Sequence, residues 1–580
     1  MVVPGDPAGC GGDLGGGDLA HPVAGALIGP IGAVPHRLPA RWRADAVAGF
    51  AVWAAAVPEA LACAAIAGLP LTAGLYALAP ALLLYALAGR SRQLVVGPTP
   101  VTAALSAAVA APLVVAGGRP VAVLAGVALV CGVAGVVAGG LRLGFVGAGI
   151  PRPVRRGFGA GLAVVVVIGQ LPALLGVPGT HGLPWRQACF ALSQAESWQW
   201  RAAVLGGGCL VLVLVLQRWL PLVPASLAAA VTGVAVARLL LWGEPGMLAV
   251  ERLEPGPPPL GWPQAIAPRE LLVVLGPALA VLVFAFAEGL AVAERLAVQD
   301  GYRVAAHREL FGLGLANVGA ALCSGLLVGG SPAQTAMLRG AGARSRWAGL
   351  VVAALTLVTL LTLTGMFEGL PRTVVAVIAI AAAVRLADPA DLRRLLRIWR
   401  ERRTGIYADT ARADCAAALA TAVAVPLLGV LAGLLVGLCC ALLLLLHRCT
   451  QPTLVASGTG HVPAVAPAGA EGVRDTRVLM VRVESAAHFA NADRLRDRVA
   501  ALCTPRTRLV VLDTDDCPVI DVTAARTLGE LSAALAWRGI AVRLVRRTAR
   551  AGDASAQAWA AGGPIRVYPT VRAAVAGTPG

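Results

Sequence analysis

Two short breaks carry the residues of this chain that are best suited to chemistry. Residues 97–100 (Gly-Pro-Thr-Pro) and 330–333 (Gly-Ser-Pro-Ala) interrupt apolar stretches that are otherwise long enough to span a membrane. Each break combines a glycine, a hydroxyl residue suited to a helix N-cap and a proline suited to the first helical turn. A helix that begins there directs unpaired N–H groups, and about half a unit of positive charge, at whatever lies ahead. Two such ends facing each other predict a site for a small anion.

Three charged side chains lie inside or beside the same apolar stretches: Glu59, Glu288 and Arg339. On insertion scales a charge at the centre of a membrane helix costs about 2.5–3.5 kcal/mol, so such residues are expected to have a function. For Glu59 we expect proton exchange; the alternative is a permanently protonated, hydrogen-bonded structural group. Thr99 and Ser331 also have two interpretations, because a hydroxyl at a helix start can bind substrate or only cap the helix.

The composition predicts a membrane protein. The 580 residues are 58% hydrophobic with a mean hydropathy of +0.77, and the apolar residues come in long runs. The chain has no Lys, so its net charge of +17 is an excess of Arg. Many of these arginines lie in short loops, where basic residues orient a membrane protein, so we expect a lipid bilayer and no nucleic acid as partner.

Motifs of enzymes and metalloproteins are missing from the sequence. It contains no Walker-type phosphate loop, metal-binding cluster or nucleophile elbow. The 12 cysteines are scattered without metal-ligand spacing and are expected to be free thiols. We therefore expect no catalytic residue, no metal and no cofactor.

The apolar stretches form two sets of seven, and the third stretch of each set is a half-length helix that starts at one of the breaks. Equivalent breaks in two halves indicate an inverted repeat with a site near the middle of the membrane. The first set is predicted at 47–68, 73–89, from Pro100, 121–140, 157–175, 202–216 and 224–241. The second set is predicted at 271–295, 310–327, after Pro332, 347–366, 373–386 and, as two helices, 416–446.

Charge and composition divide the chain into regions. The arginines of residues 393–403 and most other loop arginines fall on one side, which predicts a multi-pass protein of the cell inner (plasma) membrane with both termini cytoplasmic. We expect a disordered tail at 1–37, a transmembrane domain at 38–448, a linker at 449–475 and a small cytoplasmic α/β domain at 476–580. In that last domain we predict strands at 478–483, 509–512 and 540–545 and helices at 492–502 and 523–537.

The chain contains many short motifs, which follow one another in a fixed order. They include Val57-Pro58-Glu59-Ala60, Ala67-Gly68-Leu69-Pro70, Gly74-Leu75-Tyr76, Gly89-Arg90-Ser91-Arg92-Gln93, Gly97-Pro98, Gly301-Tyr302, Glu309-Leu310 and Pro332-Ala333. With these motifs the chain resembles the SulP (sulfate permease) family of anion transporters over nearly all of residues 38–578. The segments Phe489-Ala490-Asn491-Ala492 and Ile520-Asp521-Val522-Thr523 resemble the STAS domain that ends these transporters.

The resemblance implies a polytopic α-helical protein of about fourteen helices, arranged as a seven-plus-seven inverted repeat and followed by a STAS domain. It also implies a core bundle that carries substrate past a gate bundle, in the manner of an elevator, and a homodimer. Members of the family carry sulfate, bicarbonate, chloride or other small anions, including dicarboxylates.

The resemblance also assigns residues to the substrate site. Glu288 matches the carboxylate of the eighth helix, although Gly289 and Ala291 stand where the family has serines. The family's sodium-coupled members use a hydroxyl where this chain has Val292, so we expect no sodium coupling. The alternative for Glu288 is a structural ion pair with Arg339 or Arg295.

The same resemblance assigns three more positions to the substrate site. Arg339, seven residues past Pro332, matches the arginine of the tenth helix and is expected to hold the anion; the alternative is that it only balances Glu288. Leu338 replaces a small hydroxyl residue. Cys63 replaces an aromatic residue and could widen the site, or it is simply a small core residue. The full predicted set of substrate contacts is Glu59, Cys63, Pro98, Thr99, Pro100, Glu288, Leu338 and Arg339.

Thr523 lies near the residue that is phosphorylated in bacterial anti-sigma-factor antagonists of the STAS fold. Asp521 and Thr523 are therefore candidate regulatory residues, with helix capping by either one as the alternative we favour.

The sequence leads to one main hypothesis and two rivals. We expect a secondary transporter of a small anion, coupled to protons through Glu59, whose STAS domain serves assembly or regulation. The rivals are a nucleobase carrier of the same architecture and a transport-dead membrane scaffold that acts through its STAS domain. The STAS domain and Arg339 count against the nucleobase carrier, and only the missing hydroxyls support the scaffold.

Overall fold

Helices form wherever the sequence is continuously apolar, because a helix satisfies its own backbone hydrogen bonds in a medium without water. The computed structural model describes residues 38–177, 182–220, 223–240, 255–263, 268–367, 369–387, 393, 397, 406–457, 477–546 and 565–577. The first half contains α1 Leu38–Ile66, α2 Thr72–Ala88, α3 Pro100–Val115, α4 Pro120–Gly140, α5 Arg152–Leu175, α6 Pro184–Ser193, α7 Trp200–Trp219 and α8 Ala225–Leu240. The second half contains α9 Pro268–Gln299, α10 Ala306–Leu322, α11 Pro332–Gly340, α12 Trp347–Val358, α13 Arg372–Val384, α14 Ile406–Leu428 and α15 Val430–Cys449.

Each of the fourteen predicted apolar stretches contains one of these helices, and α6 is an additional short helix between the fifth and sixth stretches. Among the described residues, seven helices are long and apolar enough to cross a membrane unaided. The half-helices α3 and α11 are shorter, as the two sequence breaks predict.

The helices form two bundles. In the first bundle, α1 to α4 pack with α9 to α12, while in the second bundle α5, α7 and α8 pack with α13 to α15. The bundles meet where α1 lies against α8 and α13. This is the core-and-gate arrangement of an inverted repeat.

Glycines let α4 and α10 approach closely in the first bundle. A Cβ added to Gly314 would lie 2.4 Å from the backbone nitrogen of Val136, and one added to Gly132 would lie 2.6 Å from that of Val318. Since real Cβ atoms do not approach backbone so closely, only glycine at these positions allows the two helices to come this near to each other. The two halves of the repeat are thereby joined along their fourth and ninth predicted segments.

The chain after α15 folds into a five-stranded sheet in the order β3-β4-β5-β6-β7. Its strands are β3 Leu454–Ser457, β4 Val478–Val483, β5 Leu509–Asp513, β6 Ala541–Val545 and β7 Arg566–Tyr568, with helices α16 Ala492–Leu502, α17 Val522–Trp537 and α18 Val571–Ala576. Strand β3 runs antiparallel to β4, and the other neighbours are parallel.

The expected boundary of this domain was wrong in one respect. Residues 454–457 lie in the predicted linker but form β3, because their backbone pairs with β4 from Leu454–Val483 to Ser457–Met480. Pairing with a distant strand is a tertiary effect that the Pro- and Gly-rich composition of the segment does not reveal. The rest of the linker from residue 458, and the predicted tail at 1–37, lie outside the described residues.

Candidate functional site

The two sequence breaks meet in the middle of the first bundle. Strand β1 (Val96–Gly97) precedes α3 and strand β2 (Gly329–Gly330) precedes α11, and the two strands pair antiparallel, with Val96 opposite Gly330. Two further bonds tie the segments together: Ser331 N donates to the carbonyl of Val95 (2.9 Å), and Val95 N donates to Oγ1 of Thr335 (3.0 Å). The antiparallel pairing brings the starts of α3 and α11 to one place from opposite directions.

Both helix starts carry the predicted caps. Thr99 is the N-cap of α3, and its Oγ1 accepts from Thr102 N (3.1 Å), while Oγ1 of Thr102 accepts from Thr99 N (3.0 Å). Ser331 is the N-cap of α11, and its Oγ accepts from Gln334 N (3.3 Å). Pro100 and Pro332 occupy the first turns. The capping function of the two hydroxyls is thus realised, and it is compatible with a role at the cavity that both residues border.

A cavity of about 250 Å³ opens between these helix starts and the second bundle. A helix N-terminus favours negative charge because its first N–H groups are unpaired and its dipole is positive there. The cavity walls also carry two carboxylates and one guanidinium. The lining residues are Glu59, Thr99, Pro100, Glu288, Ser331, Pro332, Ala333, Ala382, Arg385 and Leu386.

Glu59 is held by residues of both bundles. Its side chain is 6% exposed, and its Oε1 lies 3.4 Å from Nη2 of Arg385, the residue that follows α13. Its Oε2 accepts a hydrogen bond from Nε2 of Gln334 in α11 (3.2 Å). The carboxylate is therefore paired, as a charge in a predominantly apolar helix must be.

Glu288 lies across the cavity on α9, and its charged neighbour differs from the one expected. Arg155, in the first turn of α5, interacts electrostatically with Glu288, and its Nη1 donates to the carbonyl of Ala287. Among the described residues Glu288 forms no ion pair with Arg339 or Arg295, and Arg339 pairs with Asp300 instead. Sequence spacing within the second half does not show that Arg155 of the first half reaches α9.

Arg339 does not border the cavity. Its Nη2 lies 2.9 Å from Oδ1 of Asp300 at the end of α9, and its Nη1 donates to Oε1 of Gln93 (3.2 Å). Arg339 lies in the last turn of α11, and seven residues of helix advance the chain by about 10 Å from the helix start. The structure therefore places Arg339 away from this cavity, and its expected contact with the anion stays a prediction.

The other predicted contacts divide between the cavity wall and the core. Glu59, Thr99, Pro100 and Glu288 line the cavity. Cys63 and Leu338 are 0% and 2% exposed and belong to the hydrophobic core of the first bundle, and Pro98 is buried between β1 and α3. The interpretation of Cys63 as a small core residue thus describes where it lies.

The sequence did not point to three polar residues of the site: Arg385, which lines the cavity, and Gln334 and Arg155, which lie beside its two carboxylates. Arg385 had a signal, since it is a lone charge near the end of the apolar stretch 373–386. Arg155 precedes the predicted apolar stretch 157–175 but lies within α5, which begins at Arg152. The only signal for Gln334 is its place two residues after Pro332, in the first turn of α11.

In the STAS domain, the capping alternative describes the geometry of Asp521. Its Oδ1 accepts from Ala524 N (2.7 Å) and its Oδ2 accepts from Phe489 N (2.7 Å), so it caps α17 and fastens the preceding loop. Thr523 is exposed in the first turn of α17. Among the described residues no group of three or more His, Cys, Asp or Glu side chains is placed to hold a metal ion.

Comparison with known proteins matches both parts of the chain. Residues 42–407 match the sequence model of the sulfate permease family, and residues 470–574 match that of the STAS domain. A probable sulfate transporter of Mycobacterium tuberculosis is 31% identical over 518 residues, which cover 87% of this chain and 90% of the relative. A sodium-independent sulfate anion transporter of Bos taurus is 29% identical over 86% of this chain and 83% of its own length.

Solved structures give the same fold. The structure of SLC26A9 superposes with a TM-score of 0.78 at 19% identity and covers 92% of this chain and 90% of its own. The transmembrane domain of the cyanobacterial bicarbonate transporter BicA superposes with a TM-score of 0.58 at 23% identity, over 69% of this chain and 97% of its own. The second match is confined to a transmembrane domain, so it leaves out the sheet that follows α15.

Proposed function

The chain belongs to the sulfate permease family, and from this premise we propose that it is a secondary transporter of a small anion, with sulfate and bicarbonate as the first candidates. The observation that carries the proposal is the cavity between the N-termini of α3 and α11. Two helix dipoles converge on it, and such ends bind anions through backbone N–H groups without a dedicated side chain.

The volume of the cavity suits a small substrate. A water molecule takes about 30 Å³ of the liquid, so a space of about 250 Å³ accommodates a sulfate, a bicarbonate or a short dicarboxylate with a few waters. The names of the relatives, among them a probable sulfate transporter and a sodium-independent sulfate anion transporter, put sulfate first among these.

We further propose that Glu59 binds the coupled proton. It is a nearly buried carboxylate that borders the cavity, and its only described ionic partner in the structure comes from the other bundle. Two negative charges would repel each other in such a space, so an anion enters more readily when Glu59 is protonated. Proton symport follows from that competition.

Transport in this account is a movement of one bundle against the other. The cavity lies on the line where α1 faces α13, so a displacement of the first bundle along this line would carry the bound anion from one side of the membrane to the other. We propose this elevator-type motion, together with a homodimer, a location in the cell inner membrane and cytoplasmic termini, as the working arrangement.

The test is uptake of labelled sulfate, bicarbonate, chloride and fumarate into proteoliposomes, with and without an inward proton gradient. We expect accumulation of one of these anions that depends on the gradient, and loss of that dependence in Glu59→Gln. Uptake of a labelled nucleobase instead would favour the nucleobase carrier. Absence of flux for every substrate under both conditions would favour the scaffold.

A further inference from the structure

One ion pair at the cavity joins the two bundles. Glu59 is on α1 of the first bundle, and Arg385 follows α13 of the second. The two side chains are 326 residues apart in sequence and meet at 3.4 Å. If the bundles slide past each other during transport, this pair has to break in each cycle.

The geometry of this contact allows an anion to replace Glu59 as the partner of Arg385. Arg385 remains 39% exposed, whereas Glu59 is 6% exposed. A guanidinium carries five N–H donors, and the single Nη2–Oε1 approach to Glu59 engages one of them. Because Arg385 also borders the cavity, an anion that enters reaches the same guanidinium that Glu59 contacts.

Gln334 provides a partner for Glu59 in both of its protonation states. Its Nε2 donates to Oε2 of Glu59, as an ionised carboxylate requires. Its Oε1 is buried, and no group of the described residues donates to it. A protonated Glu59 carries an O–H donor, and a carboxamide offers the matching acceptor beside its NH2 group. Gln334 can therefore hold Glu59 after the carboxylate leaves Arg385.

We infer that Arg385 is the residue through which anion binding and proton binding are coupled, since the anion and the carboxylate of Glu59 compete for its guanidinium. The inference rests on the proposed function, and it names the positioning residue of that site. In the empty cavity Arg385 holds ionised Glu59. When an anion replaces Glu59 at the guanidinium of Arg385, Glu59 accepts a proton from the solvent, becomes neutral and remains hydrogen-bonded to Gln334.

Other charged and titratable groups also lie at or near the cavity. Glu288 lines the wall opposite on α9, and Arg155 on α5 lies beside it. Cys63 is one turn from Glu59 on α1 itself and interacts electrostatically with both Glu59 and Arg385. The helix starts of α3 and α11 contribute hydroxyls and a carboxamide, which do not titrate in the physiological range.

Arg155 and Arg385 lie at the same end of the second bundle. Helices α5 and α13 are antiparallel, because Thr373 Oγ1 at the start of α13 donates to the carbonyl of Ala173 near the end of α5 (3.0 Å). At the other end, a Cβ on Gly159 would lie 2.9 Å from the carbonyl oxygen of Leu386. The two carboxylates that line the cavity, Glu59 and Glu288, thus each lie near one arginine of the second bundle. Of these two pairs among the described residues, only Glu59–Arg385 is an ion pair within 4 Å.

The coupling makes a quantitative prediction. Binding of the anion and binding of the proton must favour each other by the same factor, so the apparent KM for the anion falls as the pH falls. We expect a decrease of about tenfold between pH 8 and pH 6 in the wild type, within the usual range for such couplings. The pH ratio is the KM at pH 8 divided by the KM at pH 6. Replacing Arg385 removes the competition and so abolishes most of this ratio.

The experiment measures anion uptake into proteoliposomes at both pH values for the wild type and four variants. In Arg385→Ala and Arg385→Gln we expect a high KM and the loss of most of the pH ratio, with only the direct repulsion between Glu59 and the anion left. In Arg385→Lys we expect a partial ratio. In Glu59→Gln we expect a low KM with a ratio close to one. The control is Arg372→Ala at the exposed opposite end of α13, which should keep the ratio of the wild type.

The outcomes separate the inference from the function on which it rests. A wild type that carries no anion, or carries it without any dependence on pH, overturns the proposed function. A wild type with the expected ratio, and Arg385 variants that keep this ratio, overturn the inference alone. Arg385→Gln removes the charge but keeps a polar side chain, and elution as a single folded species in size-exclusion chromatography qualifies each variant before uptake is measured.

Discussion

Gly330 lies directly against Gly289, so that the backbones of β2 and α9 approach each other closely at these two glycines. A Cβ added to Gly330 would lie 2.7 Å from the Cα of Gly289, a distance that real Cβ atoms essentially never show. A Cβ added to Gly289 would lie 3.4 Å from the Cα of Gly330, which is ordinary contact. This contact holds Glu288 beside the start of α11, and it gives Gly289, where the family has a serine, a packing role.

Because this contact is asymmetric, we expect alanine substitutions of its two glycines to differ in their effects on stability and uptake. Gly330→Ala should lower the melting temperature and reduce anion uptake, because overpacking against backbone typically costs about 1–3 kcal/mol. Gly289→Ala should stay close to the wild type in both measurements. Thermal unfolding in detergent and uptake into proteoliposomes test the pair. Equal behaviour of the two alanine variants would contradict the described packing.

Glu309 fastens the chain between α2 and β1 to the start of α10. Its Oε1 accepts from the backbone N–H groups of Arg90 (2.8 Å) and Ser91 (2.7 Å), and its Oε2 accepts from the hydroxyl of Tyr85. Glu309→Ala leaves three buried or half-buried donors without this acceptor, and each costs about 1–3 kcal/mol. We expect a severe loss of thermal stability in Glu309→Ala and a milder one in Glu309→Gln, whose carbonyl still accepts. A stability of Glu309→Ala equal to that of the wild type would show that these bonds contribute little.

The capping hydroxyls should affect both stability and anion binding. Thr99→Val removes the cap of α3 at a cost of about 1 kcal/mol and also takes a hydroxyl from the cavity wall. We expect a raised KM for the anion in Thr99→Val and an almost unchanged KM in Thr99→Ser. Ser331→Ala should behave like Thr99→Val, because α11 has the equivalent cap. An unchanged KM in both uncapped variants would exclude a part for these helix starts in binding.

In the STAS domain the two candidate regulatory residues should differ. Asp521→Ala removes the acceptor of two backbone N–H groups and should weaken the start of α17 by about 1–2 kcal/mol. Thr523→Ala removes an exposed hydroxyl and should leave stability unchanged. Hydrogen exchange of the full chain over residues 487–491 and 522–526 measures the difference. Faster exchange in Thr523→Ala than in Asp521→Ala would contradict the assignment of the cap.

Much of the fold could be predicted because it depends on local properties of the chain. Continuous hydrophobicity sets the membrane helices, and the breaks at 97–100 and 330–333 set the two half-helices by their caps and prolines. The strands β4 to β6 followed from alternation between β-branched runs and helical segments, and β4 has the predicted bounds. Strand β3 was missed because only its pairing with β4 stabilises it.

Of the site, only those features could be predicted that depend on a single segment of the sequence. Thr99 and Pro100 could be identified as cavity residues because they begin a helix, and Glu59 because it is a charge within an apolar stretch. Arg385 and Arg155 approach the carboxylates because α5 and α13 of the second bundle lie beside the first, and a single sequence does not show that contact. The place of Arg339 away from this cavity could not be predicted for the complementary reason, since spacing along a helix gives its distance from the helix start but not its neighbours.

The central claim, that a small anion binds between the two helix starts, is tested most directly by protection from alkylation. Ala333 borders the cavity in the first turn of α11, and Ala336 is exposed on the same helix. The measurement is the alkylation rate of the cysteine in Ala333→Cys and in Ala336→Cys, read by mass spectrometry of that peptide. The transported anion should slow alkylation at position 333 in proportion to its occupancy and leave position 336 unchanged. A transported anion that protects neither position, or both equally, would contradict the account.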